Sequence, residues 1–416
     1  MMAVRRFTSR TFMALAVRNF RVYFLGQLFS FSGTWMQAVG QGWLVLQLGG
    51  GGVALGSVIA VQYVPMLLLG TWGGLVVDRS DKRKVLVATN VAASLLALAL
   101  GILVATHHAS IPAVFALAGL LGVVNLFDNP ARQAFVIEMV GRGLLPNAVS
   151  LNSVLVNGAR AVGPAIAAVL IATAGVAACF FVNAATYIAA LIAIAVIRGN
   201  ELRRSQPVAR ERGQAVAGLR YVWATPGLRD PLIALAVVGT FAFNFTTSLP
   251  LMAKETFHSG AGAYGAMMAA MGLGAIAGGL YIAWRSRPSH HLIGVLGSAF
   301  AVTMLAVALS PSRWFAIAAL VPMGAFSIAY VSTTNATLQL QSDPQFRGRV
   351  MALHAMAFLG STPIGAPIIG AIAGGLNPRV AVAVGAMMTA LATLPLLRRR
   401  HPEKLEVAVA QDALAA

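Results

Sequence analysis

The chain has 416 residues, of which 58% are hydrophobic and only 10% charged, far below the ~25% of charged residues in an ordinary soluble domain. Its mean hydropathy is +0.78, more apolar surface than a soluble core can bury, and its formal charge is +18, from 30 basic against 12 acidic residues. A single cysteine, Cys179, excludes an intramolecular disulfide and a cysteine-held metal cluster, and none of the four lysines (Lys82, Lys84, Lys254, Lys404) follows a glycine-rich loop, which excludes a phosphate-cradling ATPase element.

Twelve apolar segments are each long enough to cross a ~30 Å hydrocarbon layer as a helix. They run over 20–47, 53–77, 85–106, 111–138, 147–173, 176–197, 229–253, 262–284, 291–309, 314–341, 349–374 and 378–397. The expected fold is all-α and integral to the membrane. The first segment follows Arg5, Arg6, Arg10, Arg18 and Arg21, like the start of a signal peptide. Its apolar run is too long for one and lacks a small-residue cleavage site, so it reads as helix 1. Gln27, Ser30, Thr34, Gln37 and Gln41 fall on one face of it, and a polar face is too expensive to turn to lipid. It lines a cavity or packs between helices.

The second segment ends in a basic turn, Asp78 to Lys84. The fourth holds Asp128 and Arg132, four apart and so on one helix face, and closes near Glu138. The fifth holds Arg160. Ionisable groups at membrane depth are costly and so presumptively functional. The fourth and fifth segments run antiparallel, so Asp128 and Arg160 are expected to meet near mid-membrane. Asp128 is then either the carrier of a coupled proton or part of a static ion pair, with Glu138 and the buried His354 as alternative carriers. One acid against Arg132 and Arg160 leaves the interior net positive by one, which favours an anionic or chelating ligand. In the second half of the chain, Phe241, Asn244 and Phe245 on the seventh segment and Tyr330 and Asn335 on the tenth are further cavity-lining candidates. Met267 and Met271 read as packing. Gly272, Gly274 and Gly278 mimic a dinucleotide loop without its βαβ context and read as close helix packing. The pairs His107-His108 and His290-His291 are adjacent residues that do not share a helix face, and no metal site is expected.

Between the sixth and seventh segments lies the longest polar stretch, 198–228, with a short amphipathic helix expected at Ala215–Trp223. It divides the chain into a first bundle (1–198), a linker (199–228) and a second bundle with a short tail (229–416). A shift of about 202 residues superposes the halves weakly, bringing Gly163-Pro164 near Gly365 to Pro367. Paired six-segment halves are the pattern of a transporter whose site lies at the repeat interface. With the N-terminus placed in the cytoplasm, 25 of the 30 basic residues fall in inside loops and tails and three outside. That asymmetry predicts both termini inside and explains the charge as topology rather than nucleic-acid binding.

The turn Gly74-Leu-Val-Val-Asp78-Arg79-Ser-Asp81-Lys82-Arg83-Lys84 resembles the signature loop of the major facilitator superfamily, with Asp81 where that loop has glycine. Gly158 to Gly163-Pro164 is similar to its helix-5 antiporter motif, although Ala167-Ala168 replaces the usual Gly-Gly. Three stretches (Gln27 to Trp43, Asp128-Asn-Pro-Ala-Arg-Gln-Ala-Phe135, and Asn152 to Pro164) resemble the branch of drug and siderophore exporters. The resemblance implies the twelve-helix fold, no enzymatic activity and no cofactor. It also implies export of an amphiphilic siderophore or drug across the inner membrane by proton antiport, by a monomer among membrane lipids. It further implies a cytoplasmic latch in which Asp78, with Arg79 and Arg83, meets the start of helix 11 at Arg347 and Arg349. An uptake symporter, a lysophospholipid flippase and a non-transporting membrane sensor stay open as alternatives.

Overall fold

The computed structural model describes residues 12–203, 214–285, 288–343 and 345–397. The basic residues Arg5, Arg6, Arg10 and Arg287, residues 204–213 of the linker and the C-terminal tail lie outside the described residues. No strand occurs among the described residues. The helices are α1 (Arg18–Gln47), α2 (Gly52–Asp78), α3 (Lys82–Ala105), α4 (Ile111–Gly141), α5 (Gly143–Ala174), α6 (Val176–Val196), α7 (Gln214–Ala224), α8 (Pro226–Thr256), α9 (Ala261–Arg285), α10 (His290–Ala308), α11 (Arg313–Gln341), α12 (Arg347–Gly375) and α13 (Pro378–Leu397).

Eleven of these are long and apolar enough to span a membrane. The exceptions are the short surface helix α7 and α1, which has the length but carries the polar face noted above. The join between α4 and α5 turns at Gly141, whose φ of 72° favours a residue without a side chain. Two spans are broken inside. α8 loses its regular course between Phe241 and Phe245, where the Asn244 side-chain amide donates to the Thr240 carbonyl at 2.7 Å. α12 breaks at Gly360-Ser361, just before Pro363, and the Ser361 hydroxyl donates to the Phe358 carbonyl at 2.9 Å. Backbone groups freed at membrane depth are thus taken up by neighbouring side chains.

Helices α1 to α6 pack on one another, and so do α8 to α13. The two groups meet chiefly through α2 against α12 and α5 against α9. At the end bearing residues 48–51 and 376–377 the contact is backbone on backbone. The carbonyl of Gly370 occupies the place a Cβ on Gly52 would take, and the carbonyl of Ala366 does the same for Gly56. Lys254 Nζ, from α8, donates to the Leu46 carbonyl at the end of α1 at 2.6 Å. One apolar core joins both groups here, running from Met36, Val45 and Leu55 to Leu249, Tyr264 and Ile369.

The opposite end, which bears the 198–225 connection, is built differently. There the apolar side chains fall into two separate cores. One is made of Phe20, Val77, Leu86, Phe135 and Ile194 from the first group, the other of Val222, Leu228, Leu338 and Val350 from the second. α7 belongs to the second. Tyr221 stacks on Phe346 at 4.4 Å, and its hydroxyl accepts from the Asp343 amide at 3.1 Å. The molecule is therefore zipped at one end and parted at the other.

Candidate functional site

The signature turn is well ordered without a glycine at position 81. Asp81 has φ −69° and caps α3, its carboxylate accepting from the Lys84 amide at 3.2 Å, which stabilises a helix start. Lys82 Nζ donates to the carbonyls of Asp78 and Ser80 at 2.9 and 3.0 Å, and Arg83 reaches the Ala195 carbonyl on α6 at 2.9 Å. Asp78 and Arg79 are exposed. Among the described residues no ion pair joins Asp78 to Arg347 or Arg349, and Arg349 lies instead over the Phe346 ring at 4.9 Å. Of the helix-5 motif, Gly163 gives α1 room to approach, because its missing Cβ faces the Ser32 carbonyl and Trp35. Pro164 is buried beside it, and Gly158 faces open space.

At the centre of the first group, Asp128 is buried and fully engaged. Arg132 donates to Asp128 Oδ2 through Nη2 at 2.5 Å and Nε at 3.0 Å, and the Thr89 hydroxyl donates to Oδ1 at 2.8 Å. Arg132 also donates to Gln27 Oε1 and lies 4.9 Å from the Phe31 ring centre. The carboxylate's partner is thus Arg132, and not Arg160 as expected from helix geometry. One turn on a single helix brings the two heads together without any crossing between helices.

Arg160 turns the other way, toward α1. Its guanidinium sits 4.6 Å over the Trp35 ring, its Nε has no hydrogen-bond partner, and no carboxylate pairs with it among the described residues. It lines a cavity of about 160 Å³ between the two groups, shared with Gln41, Gln62 and Tyr63 from the first and Phe243, Phe245 and Met271 from the second. Asp128, Arg132 and Gln27 do not reach this cavity.

The remaining residues singled out above divide. Gln41 and Phe245 line the cavity. Gln27 and Gln37 are buried and engaged within the first group instead, Gln37 Oε1 accepting from Asn183 at 2.5 Å, and Thr34 donates to the Ser30 carbonyl at 2.9 Å. Asn244 serves the break in α8, beside Phe241. Tyr330 is fully buried in the second group's core, and Asn335 accepts from Gln339 at 2.6 Å. Glu138 is buried near the parted end, where its carbonyl accepts from the Arg203 amide at 2.8 Å. His354 is buried on α12 with Nε2 unpartnered. Gly274 and Gly278 let α9 approach the carbonyls of Val321 and Ala325 on α11, and no group of metal-ligating side chains is found among the described residues.

Sequence reasoning missed Gln62, Tyr63, Phe243 and Phe358. Phe243 sits at the break in α8 and touches Phe245, Phe300 and Phe358 at ring-centre distances of 5.7, 5.5 and 5.0 Å. The irregular Phe-Ala-Phe-Asn-Phe run was the available signal.

Two groups of spanning helices with broken segments around a shared cavity define a multi-pass membrane transporter of small molecules. The chain belongs to the transmembrane secretion effector family of the major facilitator superfamily, whose pattern it matches over residues 9–414. It is 27% identical over 343 residues to the multidrug efflux pump Tap of Mycolicibacterium fortuitum, covering 80% of this chain and 83% of that one. It is 26% identical over 258 residues to the staphyloferrin A transporter of Staphylococcus aureus (strain NCTC 8325 / PS 47), covering 62% of this chain and 64%, just under two thirds, of that protein. Its fold matches that of a variant of the nucleoside transporter NupG with a TM-score of 0.72 at 12% identity, over 91% of this chain and 98% of the other. The resemblance to drug and siderophore exporters agrees with these relatives, which are transporters and not enzymes.

Proposed function

We propose that the protein is a secondary active exporter of an amphiphilic small molecule, a siderophore or a drug. It acts as a monomer in the bacterial inner membrane by alternating access coupled to proton antiport, without a cofactor. α1 is the twelfth span, since it is packed between α5 and α6 and Gln27, Ser30, Gln37 and Gln41 of its polar face are buried. The bundles are 1–198 and 229–416, joined by 199–228. The excess of basic residues at the parted end supports a cytoplasmic placement of that end and of both termini. The molecule then stands open to the cytoplasm, and the Asp78 latch, with Arg79 and Arg83, closes on α12 in the opposite state.

The observation that carries this reading is the asymmetry of the cores: one core at the 48–51 end, two at the other, with the cavity between. Asp128 carries the proton. Protonation would release Arg132 and Thr89 together, and a buried network of this kind has two arrangements with different packing. Efflux from cells lacking the protein's own gene, restored by this chain and collapsed by a proton uncoupler, tests the coupling. Asp128→Asn abolishes pH-driven efflux while leaving ligand binding; transport with an unchanged pH profile in that variant removes Asp128 as carrier. Glu138→Gln and His354→Gln then identify the alternative.

A further inference from the structure

We propose that Arg160 is an anion-binding residue, and that the cavity takes an amphiphile bearing one carboxylate on an apolar or aromatic body. The proposal rests on the reading of the chain as a small-molecule transporter. An arginine inside the membrane keeps its charge, so the guanidinium must be compensated where it stands. Arg132 is compensated by Asp128. Arg160 is half-buried and has the Trp35 face but no carboxylate partner among the described residues, and a cation–π contact recovers less than the desolvation of an ion costs. Its Nε is shielded from solvent and bonds to nothing.

A guanidinium fork presents parallel donors that fit a carboxylate in bidentate fashion. Gln41, Gln62 and Tyr63 beside it offer further hydrogen bonds, whereas the second group's side is mostly apolar, with Phe243, Phe245 and Met271 beside Thr246 and Thr362. The charged and amide groups belong to the first helix group, while the aromatic residues Phe243, Phe245 and Phe358 belong to the second. A ligand with its head on Arg160 and its body on those rings bridges the groups. With a single uncompensated charge in the cavity, a monoanionic head is matched, a cation is repelled, and a second carboxylate finds no partner.

The test uses the full chain in lipid nanodiscs and two probes with the same body and opposite charge, 1-naphthylacetate and 1-naphthylmethylammonium, in equilibrium binding titrations. The protein is expected to prefer the carboxylate by at least about tenfold, the scale of one charge-assisted hydrogen bond. Arg160→Gln removes that preference and Arg160→Lys keeps part of it. A wild-type protein that binds no naphthylacetate, or binds both probes equally, overturns the proposal, as does an Arg160→Gln variant with unchanged preference. If Arg160→Gln fails to fold, the wild-type preference and Arg160→Lys decide. The outcomes also separate this proposal from the exporter reading. Anion preference without uncoupler-sensitive efflux sinks only the latter, and efflux with cation preference sinks only the former.

Discussion

Two arginines lie within the first helix group at membrane depth, and they have opposite surroundings. Arg132 is locked into a closed set with Asp128, Gln27, Thr89 and the Phe31 ring, away from the cavity. Arg160 stands on the cavity with an indole face as its main partner. A neutralised charge can serve as an internal switch, because what matters is its exchange between two states of one network. An uncompensated charge at a cavity wall is completed by whatever enters. On the proposed reading, proton chemistry and ligand chemistry then fall in different places, Asp128 and Arg160.

The sharpest way to break this contrast is to remove one partner at each place and compare stability. Asp128→Leu leaves Arg132 buried and unpaired, and is expected to destabilise the protein by about 3–5 kcal/mol, read as a lowered thermal midpoint in detergent. The double variant Asp128→Leu/Arg132→Leu recovers most of that loss while efflux stays absent. Thr89→Val keeps the shape and deletes one hydrogen bond to the carboxylate. The expected cost is about 1.5–3 kcal/mol, with a displaced pH profile of efflux. Arg160→Leu has the smallest cost in stability, because the lost contact with Trp35, about 0.5–2 kcal/mol, is offset by removal of an uncompensated charge; the thermal midpoint is expected to stay level or rise, although the preference for anions is abolished. A loss at Arg160→Leu as large as that at Asp128→Leu would show that Arg160 is paired structurally too, and the contrast would dissolve.

Much of the fold was legible because hydrophobic length is a coarse signal. The segment 20–47 is the helix Arg18–Gln47, and 378–397 is the helix Pro378–Leu397. The breaks inside α8 and α12 were not legible. Proline is absent from the Phe241–Phe245 stretch, and the break there depends on a side-chain amide satisfying the freed carbonyl, which is a tertiary arrangement. At the site, the shared face of Asp128 and Arg132 followed from a spacing of four. The orientation of Arg160 depends on the rotation of α5 about its axis, which no spacing within α5 reveals. Phe358 was invisible for another reason: in a chain this apolar, one more aromatic residue carries no contrast.

The contact of Gly52 and Gly56 with α12 bears on how the resting state is chosen. A carbonyl of α12 sits where a methyl group would go at each position, so Gly52→Ala or Gly56→Ala forces the helices apart at that end alone. Overpacking of this kind costs ~1–3 kcal/mol, and each 1.4 kcal/mol is a factor of about ten in a two-state equilibrium. One methyl group, at the end away from the Asp78 turn, is then a handle on the resting population of the transporter. The alanine variants are candidates for trapping the opposite orientation for structure determination, with cysteine accessibility at Gly348, exposed at the start of α12, as the readout: labelling of Gly348→Cys falls as that end closes.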